Sequence, residues 1–359
     1  MEAESLCQCG AATVDDILAR LFRVDVSKAL NPLDDSDYLI IVGRLTRALV
    51  GVTKEDEAKS LNKALGMLDV NWANMTEAGR DKVISAAQTV IKATPAGIVK
   101  PVVHELTVAA PKIVTPSKKG TVATLPAKFR ANVNVSFELR DKRITDHMAR
   151  SQALFIRDEY GRRSERFSVL ARDIVAEGLD KGLGRDDIAE DLDRRIRASI
   201  GLEKSRDYWN TIAGVFTNRS RTWGQLSSYQ DAGIKQFIFS AVLDEVTTDQ
   251  CRSLDGQVFT VDKGIEKYEA VEDANDGEAV KDLMPWIQKG TDEDGNEILY
   301  VKNRDGERKV VANVRESAVG TKDKIGKYDF QMSVAEIEAV GCFMPPLHGK
   351  CRSTVQARV

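Results

Sequence analysis

The sequence predicts an α+β protein that is mostly helical and that ends in a small β-rich module. Apolar residues recur at helical spacing in two separate stretches, proline is concentrated between them, and short strand-like runs with turn residues follow. These three observations predict a helical bundle over residues 1–94, an extended proline-rich arm over 95–139, long helices over 140–234, and a β-rich module over 235–359.

The composition is that of a globular protein, and it excludes several classes of function. The chain has 359 residues, of which 42% are hydrophobic and 30% charged, which suits about two domains. Its 52 basic and 55 acidic residues give a net charge of -3, so it is neither a uniformly basic nucleic-acid coat nor a strongly acidic disordered chain. No apolar stretch reaches the roughly 20 residues of a membrane span, and the first residues lack a secretory-signal pattern. We therefore expect a soluble, intracellular chain with no membrane partner.

The first part of the chain is expected to form four short amphipathic helices, which suits a small bundle. The first carries apolar residues at helical spacing within 14–22, and the others follow residues of the types that cap helices. These three later helices are predicted to start at Asp35 or Ser36, at Thr53, and at Thr76, the last ending at Ala93.

Proline dominates the next segment, because five of the nine prolines lie between residues 95 and 126. Proline lacks a backbone donor and biases the preceding residue away from helix. We therefore expect an extended linker or arm over 95–139. It could be a passive tether, or it could lie along a partner and bury Ile113, Val114 and Leu125.

Helical periodicity returns over 140–234. One helix carries an apolar face from Phe167 to Leu179, and a second runs between Gly184 and Gly201. A third follows from Trp209 and ends near Gly233, because glycine accepts the left-handed conformation that closes many helices.

The same stretch is rich in arginine: residues 140–223 hold fifteen arginines and three lysines against fifteen acids. The planar guanidinium suits bidentate contacts to phosphates or carboxylates. DNA contacts of this kind would be to phosphate and would weaken with salt. The alternative is a solvated helix surface with ion pairs between neighbouring turns. The candidate contacts to nucleic acid or a protein partner are Arg162, Arg163, Arg166, Arg194, Arg195, Arg197, Arg219 and Arg221.

The β-rich module is interrupted by an acidic insertion, which we place at 261–335. Twelve acidic and four basic residues lie within 261–300 alone. A first strand is expected in 235–244 and a last one over Ser353–Ala357. Within the insertion we expect a hairpin across Asp305-Gly306, and a short capped helix over 333–340 follows.

Cysteine and histidine residues in this module form a candidate metal site. Cys342, His348 and Cys351 follow a C-x5-H-x2-C pattern, and Cys251 lies in a separate piece of sequence. Zinc prefers four thiolate or imidazole ligands in a tetrahedron, so these four residues predict a closed, structural zinc site. The alternative is that they are ordinary buried cysteines with a hydrogen-bonded histidine, because cysteine is often buried without a metal.

Two pieces of the module also resemble a known family. The first has a strand ending in Asp244 and then Cys251-Arg252-x-Leu254-Asp255-Gly256-x-x-Phe259, and the second reads Pro345-Pro346-x-His348-x-x-Cys351-Arg352. Together with Tyr229 and Gly233-Ile234, they resemble the phage-Mu F-like minor head protein family, the phage head morphogenesis proteins. The resemblance covers about residues 140–359. It departs from the commoner pattern in having one cysteine in the first piece and Ser353 in place of a further cysteine.

The resemblance implies a structural and assembly protein, not an enzyme, and gives no catalytic residue to carry over. Such a protein lies in the virion, in the phage head or neck, and in the host cytoplasm during assembly. The partners it implies are the portal and the major capsid protein, with a role in DNA packaging or delivery and no small-molecule substrate.

Two other classes of function stay open from the residues. One is a metal-dependent hydrolase or nuclease that uses His348 with Asp244, Glu245 or Asp255, because a metal beside acids can activate water. The other is a DNA-binding adaptor, whose binding would fall steeply with salt.

Overall fold

The computed structural model describes residues 30–274, 277–303 and 305–359. The first predicted helix, at 14–22, lies outside these residues. The described part is mostly helical, with small antiparallel sheets near the C-terminus, so the predicted α+β class is confirmed. Within that part, no helix combines the length and the apolar character that a bilayer crossing requires.

Some helices are longer than the sequence predicted, whereas others, such as Glu77–Ala93 and Arg185–Ile200, have nearly the predicted bounds. In chain order they are α1 Asp35–Leu68, α2 Glu77–Ala93, α3 Pro95–Thr124, α4 Ala127–Arg130, α5 Leu139–Asp180, α6 Arg185–Ile200, α7 Leu202–Asp231, α8 Asp249–Leu254, α9 Val261–Ala270, α10 Gly277–Leu283 and α11 Val334–Val340.

The chain divides into two compact units made of interleaved segments. Among the described residues, a mixed unit comprises 30–44, Thr107–Met148 and those within Thr211–Val359, and a helical unit comprises Leu45–Leu106 and Ala149–Asn210. The four consecutive parts predicted from the sequence therefore do not correspond to these units. The reason is that α1, α3, α5 and α7 each contribute residues to both.

The helical unit has one apolar core built from α1, α2, α5 and α6. The ends of its shorter helices follow the sequence signals. Thr76 caps α2 by accepting a hydrogen bond from the backbone of Gly79, and Gly184 and Gly201 bound α6. The core residues are Leu61, Ala64, Leu65, Leu68, Trp72, Ile84, Ala87, Ile91, Phe167, Ala171, Ile174, Val175, Ile188, Leu192, Ile196 and Ile200.

The expected proline-rich arm is wrong, because α3 is a helix of 30 residues. Pro95 occupies the first helical position, where a missing N–H costs little. The later prolines each remove a helical hydrogen bond, but an apolar face continues past them at intervals of three or four residues. Burial of that face outweighs the local bias against helix. Its buried members are Ile98, Val102, Leu106, Ala110, Ile113 and Val114.

A second correction concerns α1, which runs unbroken where the sequence predicted two helices. Thr53 does not cap a new helix. Its buried hydroxyl instead donates to the carbonyl of Leu49, 2.9 Å away, inside the continuing helix. This back-bonding pattern is the alternative that a mid-helix threonine adopts when the helix continues.

The mixed unit carries two antiparallel sheets. The first has the order β2-β1-β7 and the second the order β3-β4-β5-β6. The predicted hairpin across Asp305-Gly306 is confirmed as β4 paired with β5, and Ser333 caps α11 as expected. The strands are β1 Gln236–Ser240, β2 Val258–Thr260, β3 Gln288–Thr291, β4 Glu297–Lys302, β5 Arg308–Glu316, β6 Lys327–Phe330 and β7 Thr354–Arg358.

Polar side chains of α7 fix the last strand and the loop before it. The Val355 carbonyl accepts hydrogen bonds from Gln225 (2.7 Å) and from the hydroxyl of Tyr229 (3.1 Å). One turn earlier, the guanidinium of Arg221 donates to the carbonyls of Arg352 and Ser353. Because these side chains lie on one face of a buried helix, they hold the C-terminal segment at a defined position.

Two glycines in α5 give a matched test of packing in the helical unit. A Cβ at Gly161 would meet open space, whereas a Cβ at Gly178 would lie 2.6 Å from Cγ1 of the buried Ile188. Gly161→Ala should therefore stabilise the protein by about 1 kcal/mol, the helix preference of alanine. Gly178→Ala should destabilise it by about 1–2 kcal/mol, because Ile188 must move. Urea unfolding of the two variants measures both effects, and equal shifts would contradict this packing.

Candidate metal centre

Two cysteines and one histidine meet in the mixed unit. The sulfur of Cys251 lies 3.3 Å from Nε2 of His348 and 3.5 Å from the sulfur of Cys351. All three donor atoms lie within 4.8 Å of one another. A tetrahedral zinc ion with Zn–S bonds of about 2.3 Å and Zn–N bonds of about 2.0 Å separates its ligands by about 3.5–3.8 Å. The spacing and the donor chemistry both fit such an ion.

Two short segments that connect to the strands of the first sheet position the donors. Cys251 lies on α8, in the connection from β1 to β2, and Cys351 comes three residues before β7. Because β1 pairs with both β2 and β7, the two cysteines meet at the same end of this sheet. His348 lies in the loop that follows the cis peptide bond between Pro345 and Pro346.

The backbone at Cys351 is held from two helices. Its carbonyl accepts hydrogen bonds from Nδ2 of Asn218 on α7, at 2.7 Å, and from the hydroxyl of Tyr38 on α1, at 3.2 Å. Its N–H donates to the His348 carbonyl at 3.3 Å. The loop carrying two of the three donors is therefore fixed by the surrounding fold.

Burial and mutual contact set the protonation of the group. The hydrogen bond with Cys351, together with burial, raises the pKa of the Cys251 thiol. Burial alone would raise the pKa of Cys351, but the hydrogen bond from Cys251 and the nearby His348 ring lower it overall. Burial lowers the pKa of His348, so its imidazole is neutral at pH 7. The lowered pKa of Cys351 favours its thiolate, the form that binds metals. Metal binding also requires Cys251 to lose its proton.

Cys342 corrects the four-ligand set expected from the sequence. Its thiol is buried and approaches the carbonyl of Ile337 at 4.0 Å, and it is not a member of the group. Burial raises the pKa of Cys342 to about 12, as for a cysteine in an apolar core. The C-x5-H-x2-C spacing therefore contributes two donors and one core residue.

Two of the three acids that the sequence placed beside His348, Asp244 and Asp255, have other partners. Arg352 bridges Asp244 and Asp35, the latter at 2.9 Å, and Asp255 accepts the backbone N–H of Ala241 at 2.8 Å. Burial would raise the pKa of Asp244, but hydrogen bonds from Arg352 and Thr247 lower it overall. Within the described ranges, no carboxylate joins the Cys251, His348 and Cys351 group.

Two buried residues beside Cys251 escaped the sequence reasoning as functional positions. Asp249 accepts hydrogen bonds from Lys289, Ser317 and Tyr328. Arg252 donates to four backbone carbonyls and is fully buried. The available signal was that both lie within two residues of Cys251, a candidate metal ligand.

Three of the eight candidate contact arginines are buried, which corrects their expected role. Arg219 and Arg221 expose 3% and 2% of their surface within the mixed unit. Arg163, in the helical unit, is 4% exposed and donates to Glu57, Glu159 and Ser205. These three side chains do not form an exposed contact face.

The other five arginines form ion pairs on the helical unit, as the alternative interpretation anticipated. They lie on the partly or fully exposed surfaces of α5 and α6, and neighbouring helical turns supply most of the carboxylates. The pairs are Arg162 with Glu159 (2.9 Å), Arg166 with Glu159 (4.0 Å), Arg194 with Asp191, Arg195 with Glu177 (2.8 Å), and Arg197 with Asp193 (2.9 Å).

Fold and site together define a mostly helical α+β protein whose last module carries a buried Cys/Cys/His group. Residues 171–292 match the family described as Phage Mu protein F like protein, which confirms the resemblance inferred from the sequence. The matched segment is about a third of the chain. It contains Cys251 and ends before His348 and Cys351. Comparison with curated proteins gave no match, and neither did comparison with solved structures.

Proposed function

We propose that this chain is a minor head protein of a tailed phage or prophage and that its role is structural, in head assembly. The observation that carries the proposal is the Mu F-like segment at 171–292. That segment includes the whole of α7, whose side chains hold the C-terminal strand. The family is typically structural, and the virion is the location that such a role requires.

We also propose that Cys251, His348 and Cys351 hold a structural zinc ion. Two thiolates and an imidazole form a donor set that suits zinc. The three donors come from two segments about a hundred residues apart in sequence, and both cysteines are 2% exposed. An ion there would join α8 to the loop before β7 and so tie the two pieces of the family motif together.

One observation favours a second candidate function. Three protein ligands leave a fourth position open, and catalytic zinc sites have this arrangement with a water molecule in that position. A hydrolase would then use His348 as a ligand. Its candidate acids Asp244 and Asp255 are held by Arg352 and by Ala241, so the structural role is the stronger proposal. Hydrolysis that disappears in His348→Ala while the protein stays folded would favour the enzyme instead.

The partners we propose are the portal and the major capsid protein. The exposed arginines of α5 and α6 already have carboxylate partners, which weakens the argument for phosphate contacts to DNA. If DNA nevertheless binds, its affinity should fall steeply with added salt, since counterion release would dominate.

The assembly role predicts that the chain is a low-copy component of purified phage particles. Deleting its gene should sharply reduce the yield of DNA-filled heads, because an assembly protein acts before packaging is complete. Quantitative mass spectrometry of purified particles, with electron microscopy of deletion lysates, measures both effects. Expression of the wild-type gene in trans is the control. Normal particles that lack the chain would contradict the proposal.

A further inference from the structure

Asp249 links the acidic insertion to the helix that carries Cys251. Its carboxylate is buried, at 1% exposure, and lies two residues before Cys251 on α8. It accepts from Nζ of Lys289 at 2.9 Å, from the hydroxyl of Ser317 at 2.9 Å, and from the hydroxyl of Tyr328 at 2.7 Å. These donors belong to β3, to the residue after β5, and to β6. A single carboxylate thus accepts hydrogen bonds from two strands of the second sheet and from the residue that follows a third.

Arg252 makes a similar link from the same helix. Its guanidinium donates to the carbonyl of Thr321, at 2.7 Å, and to that of Lys324. It also donates to the carbonyls of Asp244 and Thr247, which lie between β1 and α8. The helix is therefore hydrogen-bonded to the insertion through the residues on both sides of Cys251.

We infer that Asp249 is a positioning residue for the metal centre and that metal binding stabilises the sheet β3–β6. The inference rests on the proposed metal site. A metal ion fixes Cys251, Cys251 fixes α8, and the buried carboxylate on α8 holds Lys289, Ser317 and Tyr328. Residues 288–330, which lie within the insertion predicted at 261–335, thereby form part of the support of the site.

Cobalt(II) binding and backbone hydrogen exchange of the full-length chain test this coupling. In the wild type, cobalt should slow exchange in 288–330 as well as around Cys251 and Cys351. In Asp249→Asn, cobalt should bind about tenfold more weakly, as is typical when support of a ligand is lost. Its thiolate-to-cobalt absorption at saturation should change, because Cys251 is no longer held in one position. Exchange in 288–330 should no longer respond to the metal.

Asp262→Asn is the matched control, because Asp262 is an exposed carboxylate on α9 that lies 4.0 Å from Lys235. It should leave cobalt affinity, absorption and exchange as in the wild type. If Asp249→Asn does not fold, Tyr328→Phe removes one donor and keeps the buried carboxylate. This milder variant should weaken the exchange response in 288–330.

Three outcomes separate failure of the coupling from failure of the proposed site. If cobalt binds the wild type but leaves exchange in 288–330 unchanged, the coupling is overturned and the metal site stands. The coupling is equally overturned if Asp249→Asn binds cobalt with wild-type affinity and absorption. If the wild-type chain binds no cobalt, the metal site itself is overturned, and the coupling with it.

Discussion

Cys351→Ser should remove zinc from the purified protein, whereas Cys342→Ala should retain about one zinc per chain. Of these two cysteines, Cys351 belongs to the donor group and Cys342 does not. Loss of the ion should also lower stability by about 3–4 kcal/mol when zinc is present at 100–1,000 times its dissociation constant. Elemental analysis gives the stoichiometry, and chemical unfolding with and without a chelator gives the stability difference.

Cys342→Ala is an informative control, since the sequence pattern alone would have made Cys342 a ligand. Zinc loss in both variants would restore the four-ligand set. A wild-type chain with less than about half an equivalent of zinc would remove the metal centre altogether, because structural zinc binds tightly.

Arg252→Ala should destabilise the mixed unit by about 4 kcal/mol or more, because it leaves four backbone carbonyls without their donor. Arg252→Lys should restore little of this loss. An ammonium group cannot reproduce the planar fork that reaches carbonyls on both sides of α8. Urea unfolding followed by near-ultraviolet circular dichroism measures the change.

The matched control for Arg252 is Arg315→Ala, which removes an arginine from β5 in the same unit. Arg315 has a side chain that is 61% exposed and pairs with Asp329 at the surface. The change should cost less than about 1 kcal/mol, as for other surface ion pairs. A loss at Arg315 as large as that at Arg252 would show that the buried carbonyl contacts are not the cause.

The sequence predicted the elements whose ends depend on local chemistry. Ser333 caps α11 with a capping box, and Asp305-Gly306 turns the β4–β5 hairpin. At Gly306 a positive φ of 85° shows why glycine is needed there. Such signals act over a few residues, so they can be recognised without knowledge of the tertiary structure.

The elements that the sequence misjudged depend on contacts made far along the chain. The prolines of α3 favoured an extended arm locally, but burial of residues such as Ile98, Val102 and Leu106 holds that segment as helix. Tertiary packing overrides local propensity in this way whenever a long apolar face finds partners. The spacing of this apolar face is itself a helical signal, but the segment alone does not show which elements bury it.

The candidate site shows the same division between local and distant information. Spacing identified His348 and Cys351, and the family motif identified Cys251, which are the three donors the structure brings together. Spacing could not exclude Cys342, whose side chain belongs to the apolar core. Nor could arginine density reveal that Arg219 and Arg221 are buried, because burial depends on tertiary contacts that the local sequence does not show.

The hydrogen bonds at the borders of the three-stranded sheet affect whether strands from other molecules can pair with it. Exposed borders of sheets invite strands from other molecules to add to them. On the β7 side, the Val355 carbonyl is occupied by Gln225 and Tyr229. On the β2 side, the Thr260 N–H donates to the carboxylate of Glu338 at 2.6 Å. Each border thus has a backbone group that is already bound by the protein's own side chains, which leaves fewer groups free to pair with a strand from a neighbouring molecule.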